Sequence, residues 1–371
     1  MTSEVVLAVE QLRRRVPGGV GRYATGLLQG LLAVPAPPIA LLASRHAGGG
    51  PDPLGRWGFE LRCSRIPAPF LTVAWDHGLA PVPAGVGVVH SVSLAAPPVR
   101  RPLRRGGRAL VVTVHDLAWR TQPHATTARG GRWHEAALAR ALVHADGFVV
   151  PSSPVASALV AAGADPTKVR VIPHGADHLP PPDDDGARLL LRRLGVAGDY
   201  LLAAGTLEPR KNLERLAEAY AAARPSLPGP WSLLVVGPNG WGELGSRGVE
   251  GVVFAGHVDD AVLASLYAGA RAFAYVPLEE GFGFPPVEAM ALGVPVVVSS
   301  AVPSVGLQHD VAPPALVVDA RSVDDITAAL VQIAWDETLR VQLAQRAAEL
   351  VAPLTWAAAA RAHIAWWEEL Q

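Results

Sequence analysis

Cysteine is almost missing from this chain: Cys63 stands alone among 371 residues. A lone thiol rules out a disulfide framework and a cysteine-built zinc site. Lysine is nearly absent too, with Lys168 and Lys211 set against 30 arginines. No apolar run approaches the roughly 18 residues of a membrane span. The opening segment SEVVLAVEQLRRR is charged and lacks a signal-peptide cleavage pattern, so a soluble cytoplasmic protein is expected. Aromatic residues do not interleave with the arginine clusters, and no nucleic-acid module signature occurs, so nucleic acid is not an expected partner.

What is present is a large apolar content, 50% of residues, and an uneven charge distribution under a net charge of −1. Residues 1–174 hold 19 Lys and Arg against 9 Asp and Glu, whereas residues 175–371 hold 13 against 24. A basic half attracts anionic partners such as a membrane surface or a phosphorylated acceptor. Its densest cluster is RRPLRRGGR, with Arg100, Arg101, Arg104, Arg105 and Arg108, which reads equally as a solvated loop.

Short apolar runs alternate with Ala/Leu-rich helical stretches. The expected strands of the first half are 5–9, 38–43, 86–91, 109–116, 147–152 and 168–173. Those of the second half are 200–205, 231–237, 251–256, 271–276, 294–299 and 315–320. Near-continuous apolar strands separated by helices indicate parallel sheets covered on both faces. The alternation occurs twice, with a break at HLPPPDDDG (178–186), the best linker candidate. The expectation is an α/β chain of two Rossmann-like, doubly wound domains, 1–178 and 187–350, facing a cleft. Residues 351–371 form an amphipathic helix that packs back on the first domain, with Trp356, Ala360, His363 or Ile364, and Trp367 near one face.

Four segments follow the carboxyl ends of expected strands, where open α/β sheets bind ligands. In EQLRRRVPGGVGRY (10–23), Gly18, Gly19 and Gly21 precede a helix and let backbone amides approach an anion, although such a turn is often only a turn. In TVHDLAW (113–119), His115 suits a sugar hydroxyl or a proton transfer, while taken alone it reads as a structural histidine. In AAGTLEPRKNLERLAEAY (203–220), Arg210 and Lys211 beside a helix N-terminus suit a diphosphate, and Asn212 is placed to cap that helix. A chain that otherwise uses arginine keeps an ammonium here, which fits a compact phosphate contact. In VPLEEGFGFPPVEAMALGVPVVV (276–298), Glu280 sits in a loop and Glu288 in the first helical turn, with Gly281, Gly283, Pro285 and Pro286 between them. One such glutamate could merely complement the helix dipole; the pair around a Gly/Pro loop suits ribose or sugar hydroxyls.

GTLEPRKNL, EGFGFPPVEAMALGVPVVVS, GGVGRY, TVHDL and KVRVIPHGAD, in this order and spacing, resemble family 4 of the retaining GT-B glycosyltransferases over nearly the whole chain. The GTLEPRKN form looks like the branch of bacterial mannosyl- and related transferases of cell-surface polysaccharide synthesis. The resemblance implies that Gly18 and Gly19 approach the donor diphosphate and that His115 lies near the transferred sugar. Arg210 and Lys211 would neutralise the leaving diphosphate, Glu280 would contact the donor sugar and Glu288 the ribose. Gly205, Gly281, Phe282 and Gly283 complete the implied donor-binding set. No cofactor and no metal are implied. Family members often carry Pro-Glu-Val where this chain has Pro303, Ser304 and Val305.

The resemblance thus implies transfer of a hexose from a nucleotide diphosphate sugar, GDP-mannose first and a UDP-sugar next, to a glycan or lipid-linked acceptor. A lipid-linked acceptor would bring peripheral contact with the inner membrane face through Arg100–Arg108. A sugar-nucleotide epimerase of the same fold and a catalytically weak nucleotide-sugar-binding relic are the alternatives. An NAD-dependent enzyme fits worse, because the first loop reads GGVG rather than G-x-G-x-x-G.

Overall fold

A computed structural model of the chain describes residues 4–14, 18–48, 50–80, 82, 87–99, 108–123, 126–238, 248–306 and 312–371. It divides into two compact units, Met1–Gly175 with Thr355–Gln371, and Ala176–Leu354. The first holds strands β1 (Val5–Ala8), β2 (Ile39–Ser44), β3 (Glu60–Ser64), β4 (Val88–Ser91), β5 (Ala109–Thr113), β6 (Gly147–Val150) and β7 (Val169–Val171). They lie in the order β3-β2-β1-β4-β5-β6-β7, every pairing parallel. The second holds β8 (Tyr200–Ala204), β9 (Ser232–Val236), β10 (Val252–Gly256), β11 (Ala272–Tyr275), β12 (Val296–Ser299) and β13 (Leu316–Val318). Their order is β10-β9-β8-β11-β12-β13, again parallel throughout. Each sheet reverses its winding once, between β1 and β4 and between β8 and β11, and such a reversal opens a crevice at the strand ends.

Every strand expected from the sequence is present. β3 was not expected. Its sequence ELRCS has no apolar run, and it pairs only with β2 at the sheet edge, where charge discourages further pairing.

The period of two along a strand sends alternate side chains to opposite layers. In β11, Ala272 and Ala274 face a layer with Leu216, Tyr220, Ile326 and Leu330. Phe273 and Tyr275 face the other layer, with Leu266, Tyr267 and Met290.

The helix Trp356–Glu369 belongs to the first unit and is capped by the Thr355 hydroxyl, which accepts from the Ala358 amide at 3.1 Å. Its buried face is Trp356, Ala359, Ala360, His363, Trp366 and Trp367, so His363 rather than Ile364 points inward. Three glycines make room for Trp356. A Cβ on Gly26 would lie 2.0 Å from its indole, one on Gly30 would lie 2.1 Å from its carbonyl oxygen, and one on Gly175 would lie 2.4 Å from its amide nitrogen. Glycine inside the helix Gly18–Leu32 sacrifices about 1 kcal/mol of propensity per position, and this close approach is the reason for it at Gly26 and Gly30.

Beneath that helix runs a chain of hydrogen bonds whose direction one carbonyl fixes. His363 Nδ1 meets the Ala359 oxygen at 2.7 Å and must donate, so Nε2 keeps its lone pair. The Tyr23 hydroxyl donates to that Nε2 at 2.8 Å, Thr113 donates to Tyr23 at 3.0 Å, and His90 Nε2 donates to Thr113 at 2.8 Å. Burial pushes His363 down to about 4, against some support for the charged form from Ala359, and holds His90 well below the ordinary range. A depressed histidine binds fewer protons folded than unfolded. Its stabilising effect is therefore complete above pH 6.5 and is lost as pH falls toward 4, by about 3 kcal/mol in all for His363. Urea unfolding at pH 7 and pH 5 should show a lower midpoint at pH 5, and His363→Gln should shrink the difference. A pH-independent midpoint in the wild type would dismiss this account.

Among the described residues no helix is long and apolar enough to cross a membrane.

Candidate functional site

The two chemistry-bearing loops of the second unit follow β8 and β11, the adjacent strands at which the sheet reverses. Past β8, Gly205 lies under Lys211, whose methylenes would touch a Cβ there at 3.5 Å. Pro209–Lys211 form one tight turn, and Asn212 adopts φ 57°, in the left-handed region. Asn212 was expected to cap the helix Leu213–Ala223, and it does not. Its Nδ2 donates instead to the carbonyls of Val276 (2.9 Å) and Ala320 (2.7 Å), which ties the β8 loop to the end of β11.

This tie brings Arg210, Lys211 and Glu280 together. Glu280 Oε1 accepts from Lys211 Nζ and from the Tyr275 hydroxyl at 2.7 Å, and it forms an ion pair with Arg210 Nη1 at 3.1 Å. Lys211 Nζ also donates to the Tyr275 oxygen at 2.7 Å. Arg210 reaches the Glu279 carbonyl and Glu208 Oε1, each at 3.1 Å. Burial alone would raise the Glu280 carboxyl. Lys211, Arg210 and the hydrogen bonds from Lys211 and Tyr275 outweigh burial and hold the group at about 2. The loop is therefore not a bare cationic patch, since each cation has a carboxylate against it. Two openings remain among the described residues: Glu280 Oε2 accepts no bond, and one N–H of Lys211 has no acceptor.

Glu288 has separate partners. Its helix starts at Phe284, earlier than the sequence suggested, so Glu288 lies one turn inside rather than in the first turn, and it is buried. Its carboxylate accepts from His178 Nε2 at 2.9 Å and from the Tyr267 hydroxyl at 3.1 Å. Partners on both oxygens make more of it than a counter-charge for the helix dipole.

The loop Gly281–Gly283 joins the carboxylates, with Phe282 buried and Gly283 at φ 94°. Ser304 fastens it. The Ser304 amide donates to the Phe282 carbonyl and its hydroxyl to the Gly283 carbonyl, both at 2.9 Å. A Cβ on Gly283 would meet Val302 at 2.5 Å, and Ser304 is fully buried, so the loop is closely packed at this point.

In the first unit, Gly18 and Gly19 form the first turn of the helix Gly18–Leu32 instead of preceding it, with open space where a Cβ would be. His115 lies past β5 and donates from Nε2 to the Val92 carbonyl at 2.8 Å, beside the rings of Tyr23 and His174. That bond leaves Nδ1 as an acceptor, and burial lowers its proton affinity. Arg108 donates to the Val82 carbonyl at 2.9 Å. Arg100, Arg101, Arg104 and Arg105 lie outside the described residues.

Sequence reasoning missed Tyr275, Tyr267, His178 and Glu208. Glu208 was within reach, two residues from Arg210 in the same loop. The tyrosines look like ordinary core aromatics, and His178 lies 110 residues from its partner.

Two Rossmann-like units of parallel sheet, each reversing its winding once, are the architecture of GT-B glycosyltransferases. Anabaena Alr3699/HepE, solved in complex with UDP and glucose, shares the fold with a TM-score of 0.70 at 18% identity over 98% of both chains. WaaG, a glycosyltransferase involved in lipopolysaccharide biosynthesis, gives 0.66 at 17% identity, covering 97% of this chain and 99% of its own. Residues 17–178 match the family described as Glycosyltransferase Family 4, and residues 198–336 match Glycosyl transferases group 1. A D-inositol 3-phosphate glycosyltransferase of Geodermatophilus obscurus is 30% identical, over 80% of this chain and 69% of its own length. O-antigen chain mannosyltransferase B of Escherichia coli is 39% identical over 38% of each chain. The matches span 38% and 50% of the first curated relatives' lengths. The chain belongs to glycosyltransferase family 4.

Proposed function

We propose that this protein moves a hexose, mannose for preference, from a nucleoside diphosphate sugar to a glycan or lipid-linked acceptor with retention of configuration. The carrying observation is the cluster of Arg210, Lys211 and Glu280 at the sheet reversal of the second unit. Glycosyl transfer builds negative charge on the departing diphosphate, and fixed cations aimed there stabilise the transition state. The remaining Lys211 N–H and the Arg210 guanidinium are the donors for it. They do the work of a divalent ion, so EDTA is expected to leave turnover unchanged. A carboxyl held at about 2 stays ionised at any physiological pH. Glu280 is then an acceptor of sugar hydroxyls through Oε2, not a general acid. Glu288 takes the ribose hydroxyls by exchange with His178.

Mannosyltransferase relatives support mannose as the sugar, with GDP-mannose as our first choice of donor, and the UDP bound in a protein of like fold supports a UDP-sugar as the next choice. A thermal-shift panel of nucleotide sugars tests both. The true donor at about a hundred times its Kd stabilises by ~2.7 kcal/mol, a rise of several degrees in melting temperature. Release of nucleoside diphosphate that depends on an added acceptor then separates transfer from epimerisation. A panel without any shift would sink the proposal.

The basic first half supports peripheral attachment to an anionic membrane. Arg101→Glu with Arg104→Glu is expected to weaken sedimentation with phosphatidylglycerol vesicles, and unchanged sedimentation would remove the membrane from the proposal.

A further inference from the structure

Glu280 and Glu288 each accept a hydrogen bond from a tyrosine that lies outside the motif loops. Tyr275 ends β11, and its hydroxyl stands between Lys211 and Glu280, accepting from one and donating to the other, each at 2.7 Å. Tyr267, in the helix Asp260–Gly269, donates to Glu288 at 3.1 Å. Phe273 lies between them. Its ring is 5.2 Å from Tyr267, edge to face, and 6.0 Å from Tyr275, stacked. All three rings are buried in one layer of the core. A buried tyrosine hydroxyl needs a hydrogen-bond partner, and a backbone carbonyl is enough. Tyr200 and Tyr220 in the same unit use carbonyls, those of Leu266 and Trp231.

We propose that Tyr275 and Tyr267 are positioning residues, Tyr275 orienting Glu280 and Lys211 toward the sugar and diphosphate, Tyr267 orienting Glu288 toward the ribose, with Phe273 fixing the spacing. The inference rests on the function proposed above. Its physical content is an asymmetry at Glu280: both hydrogen bonds and the Arg210 ion pair fall on Oε1, which stops the carboxylate from turning and leaves Oε2 for a ligand. Without the Tyr275 hydroxyl the carboxylate keeps only one of the two hydrogen bonds that fix Oε1, and Lys211 loses an acceptor that sets the direction of its third N–H. At Glu288 the Tyr267 hydroxyl holds one oxygen while His178 holds the other. A small misplacement of groups that must meet a transition state is amplified in rate.

Tyr275→Phe and Tyr267→Phe keep the rings and remove only the hydroxyls, so the core stays filled. Loss of one hydrogen bond to a charged group is worth roughly tenfold or more. Tyr275→Phe is therefore expected to lower kcat about tenfold while the inhibition constant of the matching nucleoside diphosphate, GDP or UDP, stays within twofold. Tyr267→Phe is expected to do the reverse, raising that inhibition constant about tenfold with kcat little changed. Phe273→Leu, which keeps an apolar side chain in the layer, is expected to show both defects. A purely structural role would move kcat and the inhibition constant together in all three variants, or move neither, and either pattern overturns the inference with the proposed function intact. A wild type that turns over no nucleotide sugar overturns the function and this inference with it.

Discussion

Lys211→Ala is expected to slow nucleotide-sugar turnover by roughly 10²–10³-fold, the usual loss for one preorganised donor on developing charge. The variant removes the ammonium whose remaining N–H we assign to the diphosphate, and it also strips Glu280 of its nearest counter-charge. Breaking a buried ion pair usually costs 3–5 kcal/mol. Here Arg210 and Tyr275 still hold Oε1, so a stability loss of about 2 kcal/mol is expected. The two effects separate on adding Glu280→Gln. The double variant no longer buries a lone carboxylate and should regain most of the lost stability, while turnover stays low. Steady-state kinetics beside urea unfolding of both variants would read this, and near-wild-type turnover in Lys211→Ala would refute the role assigned to that residue.

Trp356→Ala is expected to destabilise the first unit by about 3–5 kcal/mol, in the range for a large aromatic removed from a filled site. The indole is 1% exposed and occupies the space made by Gly26, Gly30 and Gly175. Gly26→Ala attacks the same contact from the other side. It gains about 1 kcal/mol of helix propensity, yet puts a methyl 2.0 Å from the indole, so a net loss of ~1–3 kcal/mol is expected from overpacking. Because one clash underlies it, Gly26→Ala made in the Trp356→Ala background should be nearly neutral or stabilising. Denaturant midpoints for the two single variants and the double complete the cycle, and strict additivity would show that the close approach carries no strain.

Much of this fold was legible because strands covered on both faces must be apolar nearly throughout, as LLAAG and VPVVVS are. β3 escaped for the opposite reason, since an edge strand can be ELRCS and stay in place by backbone pairing alone. The loops of the site were legible because Gly, Pro and charge interrupt an otherwise apolar sequence at strand ends. Their internal wiring was not. Asn212 reads as a cap until a left-handed backbone turns its amide toward Val276 and Ala320. Tyr275 reads as a core ring until its hydroxyl is found between a lysine and a glutamate. Ser304 reads as a lost acid until it is seen fastening the loop between Glu280 and Glu288. In each case at least one deciding contact joins residues tens of positions apart, which no local pattern encodes.

The return of the last helix to the first unit has a consequence for synthesis on the ribosome. The groove at Gly26 and Gly30 emerges early and stays unfilled until Trp356 leaves the exit tunnel, after every residue of Ala176–Leu354 has been translated. The second unit can thus finish folding while the first still waits for its closing piece, and a nascent chain halted anywhere before Thr355 offers chaperones an uncovered apolar furrow.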